Sequence, residues 1–343
     1  MAPSTDATIW NQEISVPKET ISYVDDAVKK KMRKGTQVLS IVPSGSSYWA
    51  RTAKIETLDQ DGNKVAHQGE DGRKLVLGEY HSMKALWDIM PELVVRPYGY
   101  GAYEKMEDIH FFLCSFHELS EGTPSIDDFP ALVAELHQRQ TSPDGTFGFP
   151  YETFGGRLAQ LFPVTNSWEE TFKSGVERIF DVEERSQGPD EDMAKLRKGI
   201  IEKVIPRLLR PLETGPNKIQ PRLVHGDIWD GNCGTDVNTN APVIFDASCL
   251  WAHNEYELGA WQPKRHAMNW PYIEKYTEYF DKSEPKEDFD DRVLLRFNLH
   301  ASALYPGNTR FRNIVREDMR KLVKKFPDGY EGYLDDKSHM MEP

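Results

Sequence analysis

The segment Leu223–Cys233 reads LVHGDIWDGNC and gathers a histidine, two carboxylates, a tryptophan and an amide. Four residues separate Asp227 from Asn232, and the later apolar run PVIFDA contains Asp246. The intervening CGTDVNTNAP has the composition of a turn between two short strands. We therefore expect a hairpin that brings Asn232 and Asp246 close together.

These residue types suit the transfer of a phosphoryl group. An amide beside a carboxylate offers the oxygen ligands that Mg2+ prefers. Asp227, on the same loop but offset from the pair, could accept the proton of an attacking hydroxyl. Protein kinases use a catalytic-loop Asp, an Asn and a second Asp in these roles.

Two other interpretations of the segment stay open at this level. Asp and Asn are common in turns, where their side chains bind the neighbouring backbone. A zinc site built from His225, Asp227 and His253 is compatible with the short His-x-Asp spacing, although no further His or Cys follows at ligand spacing.

The chain up to residue 116 is rich in predicted strands. Alternating apolar residues and turn residues predict strands over 37–42, 48–58, from 63 onward, over 94–103 and over 109–116. A helix is predicted over 17–34, after an irregular lead-in, and a second over 73–90, which ends at Pro91.

The remainder of the chain is rich in predicted helices. They cover 128–138, 168–184, 192–212, 272–280, 292–305 and 312–326. The segment SEGTPS (120–125) has the composition of a linker. We therefore divide the chain into an N-terminal extension with a helix (1–35), a strand-rich lobe (36–117) and a helix-rich lobe (118–343).

Composition limits the partners. The 343 residues include 42 Lys and Arg against 55 Asp and Glu, a formal net charge of −13, which argues against nucleic acid or an anionic membrane as partner. The chain has no apolar run long enough to cross a bilayer and no signal-peptide pattern at its N-terminus. Cys114, Cys233 and Cys249 form no Cys-x-x-Cys pair, so we expect free thiols and a cytoplasmic location.

Several motifs resemble the fructosamine kinase (ketosamine-3-kinase) family, which belongs to the protein-kinase-like phosphotransferases together with aminoglycoside phosphotransferases and choline kinases. The specific ones are LVHGDIWDGN, PVIFDAS and AHNEYELGAW (252–261), because wider relatives share the HGD, Asn and Asp but not Trp229 or the EYEL segment. TFGFPYETFGG (146–156) and NSWEETF (166–172) are also similar to the family. The resemblance covers residues 36–328.

The resemblance implies an α+β, protein-kinase-like fold with a small antiparallel β-sheet N-lobe and a larger, mainly helical C-lobe. It implies ATP-dependent phosphorylation of a ketoamine hydroxyl, on a fructosamine or ribulosamine carried by a free or protein-bound amine. Asp227 would be the catalytic base, and Asn232 and Asp246 would hold Mg2+. On the substrate side, Trp229 would line the sugar pocket and His225 would orient the loop.

The nucleotide residues are less clearly marked. By resemblance, Gly45 and Ser46 belong to the loop that covers the phosphates, in GSSYW. Ser115 and Phe116 end the strand whose backbone would bind adenine. The helix residue Glu79 would pair with the ATP lysine.

Lys64 fits the family's lysine in the segment KVAHQGEDGRK, but it lies only two residues after the DG turn. Three missing strand residues would leave its ammonium roughly 10 Å short of the phosphates. The alternatives are an earlier turn, a substitute in Lys54 or Lys74, or a nucleotide-binding pseudokinase without an ATP lysine. A kinase-like phosphotransferase for another hydroxylated small molecule is the other alternative function.

Overall fold

The computed structural model describes residues 16–45, 47, 50–59, 61–214, 218–296 and 299–340. The chain forms two compact units, and neither is continuous in sequence. The first contains Met1–Thr123, Tyr151–Ala159 and Gly231–Ser248, and the second contains Pro124–Pro150, Gln160–Asp230 and Cys249–Pro343. The predicted boundary at residue 118 lies near the first of these junctions, but two later segments return to the first unit.

The first unit is built on a five-stranded antiparallel sheet with the strand order β1-β2-β3-β5-β4. Its strands are β1 (Val38–Pro43), β2 (Arg51–Thr57), β3 (Gly62–Gln68), β4 (Pro97–Ala102) and β5 (Ile109–Ser115). They agree with the predicted strands, apart from residues 48 and 49, which lie outside the described residues. β2 and β3 are antiparallel neighbours, as the DQDG segment between them predicts, and Gln60 in that segment lies outside the described residues.

One face of this sheet is covered by the N-terminal segment. Residues paired across neighbouring antiparallel strands point to the same face, and Ala53, Lys64 and Leu113 form one such row. Leu113 belongs to a buried apolar cluster that also contains Val24 and Val28. The side chain of Lys64 therefore lies on the face that the N-terminal segment covers.

The N-terminal segment is less regular than predicted. Instead of one helix over 17–34, it has a 3-10 turn at Lys18–Ile21 and a short helix α1 at Asp26–Lys29. Asp25 between them is extended and fully buried, and its carboxylate accepts a hydrogen bond from the Glu104 N–H at 3.0 Å. This tertiary contact requires a break in the helix, which local sequence preference does not reveal.

The opposite face of the sheet packs against helix α2 (Gly69–Ile89). The ring of Tyr80 on this helix lies 6.4 Å from that of Phe112, which pairs with Val65 across the sheet. Gly78 faces the backbone of Glu152 so closely that an added Cβ would overlap the Glu152 carbonyl oxygen. Glycine is required here because the helix and this segment touch through their backbones.

The predicted hairpin is present and belongs to the first unit. β9 (Cys233–Thr235) pairs with β10 (Pro242–Ile244) in antiparallel register. The Ile244 N–H donates to the Leu93 carbonyl at 2.9 Å, and the Val237 N–H donates to the Glu118 carbonyl at 2.8 Å. Backbone hydrogen bonds on two sides therefore hold the hairpin to the segments before β4 and after β5.

The second unit is mainly helical. Its helices are α3 (Phe129–Arg139), α4 (Trp168–Gln187), α5 (Glu191–Gly199), α6 (Ile205–Glu213), α7 (Glu255–Leu258), α8 (Trp270–Tyr276), α9 (Phe289–Leu294), α10 (Leu299–Leu304), α11 (Thr309–Lys325) and α12 (Gly329–Met340). The apolar sides of α4, α5, α6 and α11 meet in one buried core. Among the helices of the second unit, α7 and α12 were not predicted from the sequence.

Two predicted helices are interrupted in the structure. The helix expected over 192–212 contains a π-turn at Ile200–Val204 between α5 and α6. Pro206 follows this turn and lacks the N–H that a regular α-helix needs, so the backbone widens there. The helix expected over 292–305 is divided into α9 and α10, and residues 297 and 298 between them lie outside the described residues.

Short β-segments complete the structure. β8 (Arg222–Val224) pairs antiparallel with β11 (Leu250–Ala252) within the second unit. β6 (Thr153–Gly155) and β7 (Leu158–Gln160) form a two-stranded ribbon. Cys114, Cys233 and Cys249 are buried, and no disulfide links them. None of the helices described is long and apolar enough to cross a membrane.

We predict that Gly78→Ala lowers the free energy of unfolding by about 1–3 kcal/mol, since the new methyl group must displace the Glu152 backbone or the helix. Urea denaturation followed by circular dichroism measures the change. Gly332→Ala is the matched control, because an added Cβ there meets only the Asp328 Cβ at 3.2 Å. An equal effect of both substitutions would contradict the close backbone approach at Gly78.

Candidate active site

The loop that carries Asp227 follows β8 in the second unit and is held by a buried carboxylate. Glu257 on α7 accepts hydrogen bonds from the backbone N–H groups of His225, at 2.5 Å, and Gly226, at 3.1 Å. Gly226 has φ of 81°, a conformation that favours glycine, so the chain can turn sharply just before Asp227. The position of Asp227 is thus fixed from the backbone side.

Glu257 is surrounded by groups that favour its ionised form. Burial by itself would raise the pKa of its carboxyl, but His137, His225 and Arg296 outweigh that effect and the pKa is lowered. The His137 Nε2 lies 3.7 Å and the Arg296 Nη1 3.9 Å from the carboxylate oxygens. Arg296 also donates to the Gly226 carbonyl, so it supports the same turn.

His225 holds the loop from within. It is completely buried, and its Nδ1 accepts a hydrogen bond from the Asp227 N–H at 3.3 Å. This position suits the predicted role of orienting the loop. It corrects the assignment of His225 to the substrate-contacting residues, because a fully buried side chain cannot touch a bound substrate.

Trp229 lies on the surface of the loop, with 37% of its area exposed. Its ring centroid is 5.3 Å from that of His266. Asp230 binds the His266 Nδ1 at 2.9 Å and the Ala267 N–H at 3.0 Å, and so joins the loop to the segment after α7. An exposed indole beside an imidazole can stack on the face of a sugar, whereas core packing of Trp229 is excluded by its exposure.

The two predicted metal residues meet at the open end of the β9–β10 hairpin, in the first unit. The Phe245 N–H donates to the Asn232 carbonyl at 3.0 Å, and the Asn232 Nδ2 lies 3.5 Å from the Asp246 carbonyl. Because the amide nitrogen is directed at this carbonyl, only the amide oxygen can serve as a metal ligand. Asp246 has φ of 59°, a strained conformation for a non-glycine residue that is concentrated at functional sites.

Glu79 and Asp246 are two carboxyl groups of the first unit that interact electrostatically. Burial, followed by the charge of Asp246, raises the pKa of Glu79 well above its ordinary value. Burial, followed by the charge of Glu79, also raises the pKa of the Cys114 thiol. Positive charge near Glu79 would oppose this effect, because an opposite charge favours the ionised form of a carboxyl group.

Lys64 does not provide that charge, which corrects its assignment as the ATP lysine. Its ammonium donates to the Thr20 carbonyl and lies 5.3 Å from the centroid of the Tyr103 ring, on the sheet face that the N-terminal segment covers. The neighbouring positions Asn63 and Val65 point to the α2 face instead, because they pair with Cys114 and Phe112. Because successive side chains of a strand point to opposite faces, Lys64 cannot point to the α2 face together with Asn63 and Val65.

The two substitute lysines have other partners. The Lys54 Nζ lies 3.0 Å from Asp61 and 4.8 Å from the centroid of the Phe116 ring. It shares the α2 face of the sheet, since it pairs with Asn63. The Lys74 Nζ on α2 lies 3.5 Å from Glu152.

The remaining nucleotide predictions fall at the ends of strands. Gly45 has φ of 73°, as a tight turn after β1 requires, and Ser46 lies outside the described residues. The Phe116 N–H donates to the Asp61 carbonyl at 3.0 Å. Ser115 is buried, and its hydroxyl oxygen accepts a hydrogen bond from the Arg96 N–H at 2.9 Å.

The zinc interpretation has no support in the structure. The His225 imidazole binds the Asp227 backbone, and the His253 Nε2 lies 2.8 Å from the Ser283 hydroxyl. Within the described ranges, no three residues among His, Cys, Asp and Glu are grouped so that they could hold a metal ion.

Sequence reasoning missed the residues that position the others. Glu257 lies in the EYEL motif that marks the family resemblance, but its contact with the loop before Asp227 was not predicted. A signal was available, since a buried acidic residue within an apolar run requires partners. Arg296 and His137 have no local pattern that could have revealed them.

Comparisons with known proteins show which family the chain resembles. The family model for fructosamine kinase matches residues 62–304. The chain is 28% identical over 300 residues to the chloroplastic protein-ribulosamine 3-kinase of Oryza sativa subsp. japonica, covering 85% of this chain and 82% of that protein. It is also 28% identical over 244 residues to the ketosamine-3-kinase of Mus musculus, covering 64% of this chain and 76% of that protein.

The fold is shared with solved structures. The putative fructosamine-3-kinase from Thermobifida fusca YX-ER1 matches with a TM-score of 0.68 at 18% identity, covering 88% of this chain and all of that chain. The predicted protein-kinase-like fold, with an antiparallel N-terminal sheet and a helical C-terminal part, is confirmed.

We predict that Glu257→Gln lowers the turnover number at least tenfold with a smaller change in KM, because the loop before Asp227 loses one of its two anchoring oxygens. Steady-state kinetics with a ketoamine substrate measures this. Glu255→Gln is the matched control, since Glu255 is buried in the same helix but pairs with Arg292. If both variants lose stability and turnover equally, Glu257 has no special positioning role.

We predict that Lys64 makes stability depend on pH. Burial lowers the pKa of Lys64 to about 8, against a smaller opposing effect of Asp25. Between about pH 8 and pH 10.4 the unfolded chain keeps a proton that the folded chain has lost, so stability rises with pH in this window. The gain over Lys64→Met reaches about 3 kcal/mol at the upper end.

Urea titrations of both proteins at several pH values measure this difference in the free energy of unfolding. Lys34→Met, which removes an exposed lysine, is the control. A constant difference between the wild type and Lys64→Met across the window would show that Lys64 keeps an ordinary pKa.

Proposed function

This chain belongs to the fructosamine kinase family, and on that premise we propose that it transfers the γ-phosphoryl group of ATP to a hydroxyl of a ketoamine. The relatives are named ribulosamine and ketosamine kinases. Ribulosamines and fructosamines on free or protein-bound amines are therefore the proposed acceptors. The structural observation that carries the proposal is the hairpin that joins Asn232 to Asp246.

Asp227 is the proposed general base. Its carboxylate orients the acceptor hydroxyl and takes its proton as the oxygen attacks the γ-phosphorus, and ADP leaves with the electrons of the broken P–O bond. Four residues separate Asp227 from Asn232, so five consecutive Cα–Cα steps limit the distance between their Cα atoms to at most about 18 Å. The anchoring of the turn by Glu257 supports a fixed position for the base.

Asn232 and Asp246 are the proposed Mg2+ ligands, through the amide oxygen and the carboxylate. The donor set fits, because both oxygens are hard ligands and the two residues meet at the open end of the β9–β10 hairpin. When bound, the metal supplies positive charge that neutralises the phosphates of ATP. Because the Lys64 ammonium lies on the other face of the sheet, more of the positive charge on the phosphates must come from the metal.

Trp229 is the proposed sugar-binding surface. Its exposed indole and the nearby His266 present a flat, partly apolar patch that suits the face of a ketoamine. Asp230 fixes this patch through His266 and Ala267. Acceptor selection would then lie in the second unit, where the catalytic Asp227 also lies.

The position of Lys64 favours a second candidate, a pseudokinase that binds nucleotide without turnover. Lys64, the lysine expected to pair with Glu79, is buried on the other side of the sheet. An active enzyme must therefore bind the ATP phosphates with Mg2+ and other cationic groups of the chain. The two candidates differ in turnover and agree in nucleotide binding.

We predict Mg·ATP-dependent phosphorylation of fructosyl-lysine or ribulosyl-lysine, measured by release of ADP and by phosphorus NMR of the product. Asp227→Asn should reduce the rate at least a thousandfold, because the amide cannot take the hydroxyl proton. Asp192→Asn, on the exposed surface of α5, is the control and should retain full activity.

Each outcome has a distinct meaning. Binding of Mg·ATP by the wild type without phosphorylation of either ketoamine would support the pseudokinase or a different acceptor. An unchanged rate in Asp227→Asn would remove Asp227 as the base while leaving the activity itself established.

A further inference from the structure

Three side chains of the first unit form a continuous hydrogen-bonded chain that the proposed chemistry does not use. The Ser115 Oγ lies 3.0 Å from the His117 Nε2, and the His117 Nδ1 lies 2.8 Å from the Asp236 Oδ2. The Asp236 carboxylate accepts the Nδ1 proton, and in a neutral imidazole with that tautomer the Nε2 accepts the proton of the Ser115 hydroxyl. Ser115 in turn accepts a hydrogen bond from the Arg96 N–H.

The order of these residues is that of a serine hydrolase triad, but their burial excludes that chemistry. Ser115 is 3% exposed and Asp236 is 4% exposed, so no substrate carbonyl can reach the hydroxyl. A connected polar chain whose two ends are buried instead holds its members in one arrangement. Its function must lie in what it holds together.

This chain of side chains joins two segments that are predicted to contact the nucleotide. At one end, Ser115 closes β5, whose end is expected from the family resemblance to bind adenine through its backbone, and we take residues 116–118 as the adenine-binding segment. At the other end, Asp236 lies in the hairpin that carries Asn232 and Asp246. Two backbone bonds run parallel to the side-chain link, from the Val237 N–H to Glu118 and from the Ser120 N–H to Thr235.

The two carboxylate oxygens of Asp236 have different hydrogen-bond partners. Its Oδ1 accepts from the backbone N–H groups of Asn238 and Thr239 and so caps its own turn, at 2.9 and 2.8 Å. Its Oδ2 is directed to His117. The turn would form without the histidine, so the link to His117 is an additional constraint on the hairpin.

We propose that Ser115, His117 and Asp236 are positioning residues that fix the spacing between the adenine-binding segment 116–118 and the Asn232–Asp246 metal pair. This inference rests on the proposed function. ATP would then be held at two ends by sites that are already at the correct distance. Such preorganisation raises the affinity for the whole ligand and leaves the affinity of each separate end unchanged.

The test compares a ligand that uses both ends with one that uses only the base. Dissociation constants of Mg·ATP and of adenosine are measured by isothermal titration calorimetry for the wild type and His117→Ala. We expect the value for Mg·ATP to rise about tenfold, a loss of one constraint of ordinary hydrogen-bond strength. The value for adenosine should stay within about twofold.

Two further variants sharpen the comparison. His110→Ala removes a histidine from the other end of β5 and should leave the affinity for Mg·ATP unchanged. Asp236→Asn keeps the turn cap and can donate to the Nδ1 of the other imidazole tautomer, so it should weaken Mg·ATP binding less than His117→Ala does. Thermal unfolding of each variant confirms that it is folded.

The inference is overturned if His117→Ala binds Mg·ATP as the wild type does, or if it weakens Mg·ATP and adenosine by the same factor. It is also overturned if the wild type binds Mg·ATP but no adenosine at millimolar concentration, since 116–118 is then not a base site. A wild type that binds no Mg·ATP would refute the proposed function itself, together with this inference.

Discussion

The carboxylate of Glu257 accepts two consecutive backbone N–H groups, and the turn that carries Asp227 depends on it. Buried backbone donors are destabilising without partners, and a sharp turn through Gly226 cannot supply them from its own strand. Arg296 completes the arrangement by binding the carbonyl of the same glycine. A catalytic loop that would otherwise be an irregular polar segment is therefore held in one conformation by a single acidic side chain from α7.

The hairpin with Asn232 and Asp246 follows a different constraint, because its anchors are backbone hydrogen bonds. It belongs to the first unit, with the five-stranded sheet, although it is nearer in sequence to Asp227. The link through His117 adds a side-chain contact to the main-chain ones. The groups proposed for phosphate chemistry thus share a unit with the segment proposed for adenine, and the proposed base and sugar surface share the other.

Lys64 illustrates how a buried charge can be used for structure. Its ammonium donates to the Thr20 carbonyl of the N-terminal segment and lies over the Tyr103 ring. The contact with Thr20 helps to keep that segment on the sheet. Because the Lys64 side chain points away from the α2 face, it is not the partner of Glu79 that the sequence predicted. Burial, followed by the charge of Asp246, raises the pKa of Glu79.

Sequence patterns were sufficient to predict the strands of the first unit, most of the helices, the hairpin and the family. These depend on period, turn composition and short motifs, which are local properties of the chain. The break at Asp25, the π-turn before Pro206 and the positioning by Glu257 and His117 were decided by tertiary contacts between residues far apart in sequence. The direction of Lys64 was decided in the same way: a one-residue difference in strand register moves a side chain to the opposite face, and only the paired neighbours Leu113 and Ala53 establish which face that is.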